Sequence, residues 1–476
     1  MQFISLSFLC FLLTTWVLWR FMPKERRWQL LLTASLFFIG FSNPGALLVL
    51  ISSSLLTFYA GLSIQRFPNR RRSLYLFSLV LQVSCLFLLK YIESGNGGLY
   101  FLFREAGFRE DVLLFAVGFS FYTLQHIAYL TDIYQKRSSP QTSALRFLLF
   151  SSFFAKFNAG PLEQTNRLIP QFNIPDQQPA GLLEGINRIA LGVFKKMVLA
   201  DRLAPIVAGI FNGSAAAGSA ATLTGVCLFT VQLYFDFSAY SDIAIGSAKL
   251  FGIELTENFD RPFTAASVSE FWRKWHISLI RWFTTSIYFP VAFRFRKQKY
   301  LAVFLGIGIT FLVSGLWHGI GKTFFIWSLL HAIYLSYESL TKQTRIAWKN
   351  RFSPIWYNGM SILLTFLLVC FSNLFFRSAN LSEALRLLRQ LASSPFGGKG
   401  PTEGFLAVLA GGGYQEALFN FFLTISLMFV FLFLEKRIST WIRSGSYAFL
   451  QLFFLLLLIF LAGVFKHADY FIYLQF

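Results

Sequence analysis

Charged residues are scarce in this chain of 476 residues. Only 13% of the residues are charged, 55% are apolar, and the mean hydropathy is +0.56. A soluble domain carries about a quarter charged residues. Because the chain lacks the polar side chains that would cover it in water, the composition excludes an ordinary soluble protein. It predicts a protein that crosses a membrane several times, with 60 phenylalanines suited to lipid-facing helices and bundle interiors.

Acidic residues are the scarcer of the two charged classes, with 22 Asp and Glu against 42 Lys and Arg. In a soluble protein the resulting net charge of +20 would suggest a nucleic-acid partner. Here the positive residues cluster between apolar runs, which is the positive-inside pattern of membrane proteins. We therefore expect no nucleic-acid site and four cytoplasmic loops, at residues 23–27, 66–72, 294–299 and 342–351.

The residue types that build metal centres and covalent frameworks are also few. The four cysteines lie in separate apolar runs and predict neither a disulfide nor a zinc site. Five histidines without an acidic cluster predict no metal site, and we expect no bound cofactor. The chain lacks a Walker-type phosphate loop, a Gly-x-Ser-x-Gly elbow and a His-Glu-x-x-His motif. No repeat of 20–50 residues is present, which excludes solenoids and propellers.

Apolar runs of about 20 residues are long enough to cross a bilayer. Clear candidates are residues 3–22, 73–91, 299–318, 354–376, 415–434 and 448–465. Residues 28–65 hold two shorter runs broken at Asn43-Pro44-Gly45, which predict a helical hairpin. The run at residues 3–22 has no Lys or Arg before it, whereas a secretory signal peptide begins with positive residues. We therefore expect this run to stay in the protein as its first membrane span. Runs that also carry polar groups, at 112–135, 183–211, 220–250 and 323–340, bring the prediction to about ten to twelve membrane helices.

Acids, histidines and tryptophans concentrate in the middle of the chain. A charge at the centre of a transmembrane helix costs about 2.5–3.5 kcal/mol, so polar groups there face a bundle interior or a wet cavity. We therefore divide one integrated membrane domain into N-terminal helices (1–111), a core that holds the chemistry (112–340) and C-terminal helices (341–476). Residues 158–181 and 392–404 are polar enough to leave the membrane.

The first constellation is Gly-Leu-Trp-His-Gly-Ile-Gly at 315–321, between two apolar runs with basic flanks. The two runs predict a hairpin with His318 near its turn, where Gly319 and Gly321 break the helix. Irregular backbone at membrane depth survives only beside protein or water, so His318 is expected to line a cavity. A neutral imidazole there takes a proton from an alcohol near pH 7. A structural histidine at a helix end is an equally good interpretation of this residue alone.

The second constellation is Phe-Trp-Arg-Lys-Trp-His-Ile-Ser-Leu-Ile-Arg-Trp at 271–282. On one continuous helix, Lys274, Ser278 and Arg281 share a face, and His276 lies on the nearly opposite, apolar face. This pattern predicts an amphipathic helix along the cytoplasmic interface, with His276 pointing into the protein. An ordinary interfacial helix with a structural histidine is the alternative.

Two further constellations carry polar groups at helical spacing. In 234–242, Asp236 shares a helix face with Tyr240, and hydrogen bonding between helices is the favoured interpretation. In 118–126, Tyr122, Gln125 and His126 are candidates to line a tunnel, and a structural role is equally good.

Together these stretches resemble the membrane-bound O-acyltransferase family, in its bacterial alginate O-acetyltransferase-like branch. The matching phrases occur in the family's order at 118–125, 159–163, 234–246, 271–279, 315–319 and, at the C-terminus, 470–476. The chain departs from the branch after Tyr288-Phe289-Pro290, where Val-Ala-Phe-Arg-Phe-Arg-Lys-Gln-Lys replaces a Gly-Gly-Asn-Arg-like turn. That departure concerns the cytoplasmic surface for the acyl donor or its carrier more than the chemistry.

The resemblance implies a helical barrel with a transmembrane tunnel in the inner membrane, and acyl transfer from a thioester to a hydroxyl. The family's signature histidine matches His318 and its second histidine matches His276. We expect the substrates to contact Trp317, Asp236, Tyr240, Tyr122 and Gln125. The implied donor is cytoplasmic acetyl-CoA or an acyl carrier protein, and the implied acceptor is an extracytoplasmic polysaccharide or a partner acyltransferase.

Two alternatives remain open at this point. Intramembrane acids and broken helices also suit a transporter or flippase, although the matching halves typical of that class are absent. Within the family, D-alanyl transfer from a carrier protein to teichoic acid is the second alternative. The phrases at 234–242 and 470–476 favour the acetyltransferase branch.

Overall fold

The computed structural model describes residues 3–93, 118–173, 179–211, 219–392, 414–444 and 447–465. Helices are the only regular secondary structure among these residues, which confirms the all-α prediction for them. The C-terminal phrase at 470–476 and nearly all of the polar segment at 392–404 lie outside the described residues. The division into 1–111, 112–340 and 341–476 stays a prediction.

The first compact unit comprises residues 1–190 and 240–257. Short 3-10 turns lie at Lys24–Arg26, Pro68–Arg70 and Ile169–Asn173. Its helices are α1 (Leu6–Phe21), α2 (Arg27–Ser42), α3 (Pro44–Arg66), α4 (Arg71–Glu93), α5 (Phe119–Tyr134), α6 (Ala144–Ser152), α7 (Thr165–Leu168) and most of α8 (Pro179–Phe194).

The second compact unit comprises residues 191–239 and 258–476. Two π-helical segments, Lys195–Ala200 and Thr284–Tyr288, and one 3-10 turn, Pro262–Thr264, belong to it. Its helices are α9 (Asp201–Phe211), most of α10 (Ser219–Lys249), α11 (Val268–Lys274), α12 (Ile277–Phe283), α13 (Phe289–Arg294), α14 (Lys299–His318), α15 (Lys322–Leu340), α16 (Lys342–Arg351), α17 (Pro354–Arg377), α18 (Leu381–Ala392), α19 (Tyr414–Ser444) and α20 (Ala448–Ala462).

Five helical stretches of the described residues are long and apolar enough to cross a membrane: Pro44–Arg66, Pro68–Leu88, Ser219–Lys249, Lys299–His318 and Pro354–Arg377. Two shorter apolar helices, Leu6–Phe21 and Ala448–Ala462, accompany them. The structure thus supports a protein with several membrane spans. The total of ten to twelve membrane helices, the barrel and the tunnel remain predictions.

The predicted hairpin in residues 28–65 is confirmed, and its cause is local. Asn43 adopts an extended conformation, and its side-chain oxygen accepts a hydrogen bond from the backbone N–H of Ala46 at 3.0 Å. Pro44 follows as the first residue of α3, where its missing N–H costs no helical hydrogen bond. An N-cap and a proline in succession therefore end α2 and begin α3.

The polar segment predicted at 158–181 is described as far as residue 173 and from residue 179 onward. Residues 159–163, Ala-Gly-Pro-Leu-Glu, are buried rather than exposed at a surface. Glu163 is 3% exposed and accepts a hydrogen bond from the backbone N–H of Thr256, and the guanidinium of Arg167 lies 3.8 Å from its carboxylate. The polarity of this stretch therefore serves packing inside the first unit.

Candidate active site

The α14–α15 hairpin places His318 at its tip, as the sequence predicts. Helix α14 ends at His318, and the N–H of Gly319 closes its last turn on the carbonyl of Gly315. A Cβ on Gly315 would lie 2.8 Å from the side chain of Ser328, so this glycine allows α14 and α15 to approach closely. A Cβ on Gly319 would lie 2.6 Å from the ring of Phe324. The glycines of this motif therefore set the geometry of the turn that carries His318.

Aromatic rings surround the imidazole of His318. Its ring centroid lies 4.8 Å from that of Trp317, 5.3 Å from that of Trp327 and 5.0 Å from that of Phe376. His318 is nevertheless only half-buried. The side chain is therefore held by packing, while part of its surface stays exposed.

The second histidine lies in a sharp break of the chain, and here the prediction of one continuous helix at 271–282 is wrong. Helix α11 ends at Lys274, α12 begins at Ile277, and His276 between them is left-handed with φ 46°. Ser278 is buried, so it does not share a solvent-facing side with Lys274 and Arg281. The predicted inward direction of His276 is confirmed, because its side chain is 2% exposed.

Asn258 is the physical reason for this break. Its backbone carbonyl accepts the N–H of Ile277 at 2.9 Å. Its side-chain oxygen Oδ1 accepts the N–H and the hydroxyl of Ser278 at 3.2 and 2.9 Å. One buried asparagine thus supplies acceptors to the first turn of α12, whose N–H groups have no partners inside the helix.

The same asparagine fixes the proton on His276. Oδ1 of Asn258 is an acceptor, since the backbone N–H that it binds can only donate. Nδ1 of His276, 3.1 Å from that oxygen, must therefore carry the proton, and Nε2 is the unprotonated nitrogen. Burial lowers the pKa of His276 to about 3, so the ring is neutral at physiological pH.

Both predicted catalytic histidines line one pocket in the second unit. Its volume is about 500 Å³ when the open solvent at its mouth is included. The walls come from α10 to α12, α14, α15 and α17. The lining residues are Leu233, Phe271, Trp272, Trp275, His276, Leu279, Ile280, Ser314, His318, Trp327, His331, Val369, Asn373 and Phe376. The pocket brings together side chains spaced at i, i+4 on successive helices, such as Ser314 with His318 and Trp327 with His331.

Sequence reasoning missed His331. It is 1% exposed, and its Nδ1 accepts a hydrogen bond from the indole Nε1–H of Trp272 at 3.2 Å. The available signal was an ionisable residue inside an apolar run, four residues after a tryptophan on the same helix face. Glu338, two turns further along α15, accepts hydrogen bonds from the N–H groups of Val268 and Ser269. Helix α11 is therefore fixed to α15 at both of its ends.

The remaining polar lining residue of α17 presents an acceptor. The hydroxyl of Thr230 donates its proton to the carbonyl of Val226, so its oxygen acts as an acceptor toward Asn373. Nδ2 of Asn373 donates to that oxygen at 3.2 Å. The oxygen Oδ1 of Asn373 is consequently available as an acceptor. Trp317, a predicted substrate contact, is not a lining residue and packs against His318 and Phe283 instead.

Asp236, another predicted substrate contact, belongs to a buried ionic cluster in the second unit. Its carboxylate lies 2.8 Å from the ammonium of Lys196, which also lies 2.7 Å from Asp201. Asp236 is 0% exposed and does not line the pocket. These contacts match the structural interpretation of its motif.

The other three predicted substrate contacts lie in the first unit. Tyr122 packs against Phe119 and His126, and Nζ of Lys156 donates to Oε1 of Gln125 at 2.6 Å. The hydroxyl of Tyr240 accepts the N–H of Ala159 at 3.3 Å. All three are buried in contacts that hold the first unit together. Their role in substrate binding stays a prediction.

Among the described residues, no group of three or more His, Cys, Asp or Glu side chains is arranged to hold a metal ion. The pocket offers imidazole, indole, amide and hydroxyl groups. Such a set suits proton transfer and hydrogen bonding to a small polar substrate.

Comparison with known proteins identifies the family of this chain. The model of the membrane-bound O-acyltransferase family matches residues 134–378, a range that contains every residue lining the pocket. The chain belongs to the membrane-bound O-acyltransferase family. It is therefore an enzyme, an O-acyltransferase, and the transporter alternative is set aside.

Individual relatives show the range of reactions in this family. A peptidoglycan O-acetyltransferase of Helicobacter pylori is 32% identical over 75% of this chain and 72% of its own length. A probable alginate O-acetylase of Pseudomonas aeruginosa is 31% identical over 83% of this chain and 75% of its own length. A teichoic acid D-alanyltransferase of Bacillus subtilis is 26% identical over 54% of this chain and 68% of its own length.

Proposed function

We propose that this O-acyltransferase moves an acetyl group from a thioester donor, used from the cytoplasmic side, to a hydroxyl on the other side of the membrane. The observation that carries the proposal is the pocket that both His318 and His276 line. Acetyl transfer is favoured because the relatives that share about 30% of their residues over three quarters of this chain are named O-acetyltransferases or O-acetylases. D-alanyl transfer is the second candidate, supported by a more distant relative.

His318 is the general base in this mechanism. It accepts the proton of the acceptor hydroxyl while the hydroxyl oxygen attacks the thioester carbonyl carbon. The tetrahedral intermediate collapses, the C–S bond breaks, and the imidazolium returns its proton to the leaving thiolate. General base catalysis of this kind contributes about 10²–10⁴-fold. A half-buried ring carries the transient positive charge at lower cost than the fully buried ring of His276.

His276 acts at the donor side of the pocket. Its Nδ1–H is committed to Asn258, so Nε2 is the atom that meets a substrate group. The apolar lining around it, including Trp275 and Leu279, excludes bulk water that would hydrolyse the thioester. We place the donor entrance beside α11 and α12 and the acyl-transfer point beside His318. In this arrangement the two histidines lie on different walls of one pocket, with His276 at the donor entrance and His318 at the acyl-transfer point.

The acceptor and partners are inferred from the chemistry and the names of relatives. Alginate, cellulose, another exopolysaccharide, peptidoglycan and a serine of an extracytoplasmic partner acyltransferase all offer the required hydroxyl. We place the enzyme in the inner membrane, with lipid around its helices and acetyl-CoA or an acyl carrier protein as donor.

The proposal is tested by comparing envelope glycans from cells with the wild-type protein, with His318→Ala and without the protein. Mass analysis should show O-acetyl esters only with the wild type. Acetyl esters that persist without the protein overturn the assignment of this acceptor class. D-alanyl esters in place of acetyl esters favour the second candidate.

Topology gives a separate test of the cytoplasmic donor side. The loops at 23–27, 66–72, 294–299 and 342–351 hold the densest clusters of Lys and Arg and should all face the cytoplasm. Single cysteines placed there should resist an impermeant thiol reagent in intact cells and react after permeabilisation. Strong labelling of any one loop in intact cells contradicts this orientation.

A further inference from the structure

Two hydrogen-bond donors in the pocket have no acceptor in the part of the chain that the structure describes. Trp327 lines the pocket, is 3% exposed, and its indole Nε1–H has no hydrogen-bond partner among the described residues. An indole N–H only donates. Buried donors are nearly always satisfied in folded proteins, so an exception in a pocket points to a ligand as the missing acceptor.

His331 supplies the second donor. Because the Nε1–H of Trp272 can only donate, Nδ1 of His331 must accept, and the proton of the neutral ring lies on Nε2. No described residue accepts a hydrogen bond from that Nε2–H. His331 therefore presents a donor, whereas Asn258 leaves His276 with an unprotonated Nε2. The pocket holds these two histidines in opposite tautomers.

The rings that carry the two donors are neighbours, and one of them also neighbours the proposed base. Trp327 and His331 are one turn apart on α15, and their ring centroids are 5.0 Å apart at 69°. The ring of Trp327 is also 5.3 Å from that of His318. A substrate carbonyl bound by these two rings would therefore lie in the same part of the pocket as His318.

We infer that the Nε1–H of Trp327 and the Nε2–H of His331 form the oxyanion hole of this pocket, an inference that rests on the proposed acyl transfer. As the hydroxyl oxygen bonds to the thioester carbon, the π pair of the carbonyl moves onto its oxygen, and the two N–H groups stabilise this oxyanion. The pair returns when the C–S bond breaks, and the thiolate takes the proton held by His318. Fixed donors aimed at a developing charge are worth most in a water-excluded site.

The polarity of the pocket groups favours the acyl carbonyl over the acceptor hydroxyl as the ligand of this pair. A thioester oxygen can only accept hydrogen bonds, which matches two donors. An alcohol must also give its proton to an acceptor, which matches the available oxygen of Asn373 and the unprotonated nitrogen of His276. Trp272 is then a positioning residue, since its indole N–H selects the tautomer of His331.

Trp327→Phe is the first test, because it removes the N–H and keeps an aromatic ring. We expect kcat for transfer to fall by about 10²-fold, as loss of one oxyanion donor does, with the KM of donor and acceptor nearly unchanged. Hydrolysis of the thioester in the absence of acceptor should fall by the same factor. Trp348→Phe, the same change at an exposed position of α16, should leave both rates unchanged.

His331 is tested by a matched pair of variants. His331→Gln keeps an amide N–H near the position of Nε2–H and should retain kcat within about tenfold of the wild type, whereas His331→Leu should lose about 10²-fold. Trp272→Phe removes the N–H that keeps Nδ1 of His331 unprotonated, so it should lower kcat less than His331→Leu does. The double variant should lose no more activity than His331→Leu alone. Melting temperatures of the detergent-solubilised variants show that each remains folded.

Failure of this inference differs from failure of the proposed function. If the wild type transfers acyl groups and His318→Ala does not, while Trp327→Phe and His331→Leu stay within twofold of the wild type, the oxyanion hole is refuted and acyl transfer stands. A fall in transfer with unchanged thioester hydrolysis also refutes it, because that pattern indicates a role in acceptor binding. If the wild type transfers no acyl group, the proposed function itself fails.

Discussion

Two buried histidines, one in each compact unit, show how different hydrogen bonding gives similar residues different uses. His126 in α5 is 0% exposed, with Nδ1 bonded to the hydroxyls of Ser53 and Thr57 and Nε2 bonded to that of Ser151. His331 in α15 is 1% exposed, but only its Nδ1 is bonded within the described protein. The first ring connects three helices and has nothing left for a substrate. The second keeps a donor at the wall of a pocket.

The pocket also differs from other buried parts of the second unit in its content of charged residues. Lys196, Asp201 and Asp236 form a buried ionic cluster, in which one ammonium lies between two carboxylates. No Asp, Glu, Lys or Arg lines the pocket in the described part of the chain. The proposed mechanism in this pocket therefore relies on neutral groups, namely histidine, indole, amide and hydroxyl. Dipoles of this kind act most strongly on a developing charge where bulk water is excluded.

The largest expected effect comes from the pocket histidine at the hairpin tip. His318→Ala should abolish acyl transfer, a loss of at least about 10²-fold, because no other half-buried imidazole among the described residues lines the pocket. Expression and membrane insertion should stay near normal. Transfer rates with detergent-purified protein provide the measurement, and retention of most of the activity would show that the base lies elsewhere.

His276 should show a smaller and more selective effect. His276→Ala should raise the KM of the acyl donor more than that of the acceptor. Unlike His318→Ala, it should retain some turnover at saturating donor. His276→Asn is the matched variant, because asparagine tolerates the left-handed backbone and keeps a donor for Asn258 while removing Nε2. If His276→Asn folds like the wild type but keeps the raised KM of the acyl donor, the imidazole ring of His276 acts on the donor.

Equal losses for both substrates in the His276→Asn variant would contradict the division between the two histidines. Full recovery of donor KM with asparagine would instead assign His276 to the helix break alone. The comparison is informative because the two variants differ in backbone compatibility while both lack Nε2.

The sequence predicted those features whose causes lie close by in the chain, and it missed those that depend on distant residues. The α14–α15 hairpin and the break at Asn43 follow from glycines, an asparagine and a proline next to the turns they form. The break at His276 depends on Asn258, 18 residues away, and nothing in its local sequence marks that pairing. The tautomer of His331 depends on Trp272, 59 residues away. Predictions from sequence therefore succeed where the residues that cause a turn are adjacent to it, and fail where a turn or a contact depends on a distant residue.

The last and smallest expected effect on activity is at His126. His126→Ala leaves the hydroxyls of Ser53, Thr57 and Ser151 without their shared partner, so it should lower the free energy of unfolding by about 1–3 kcal/mol. Specific activity per folded molecule should stay within twofold of the wild type, unlike His331→Leu, which should keep its fold and lose turnover. Thermal melts and transfer rates on the same preparations separate the two outcomes. A variant at His126 that stays fully stable but loses turnover would break the comparison, because it would place a fully bonded histidine in the chemistry.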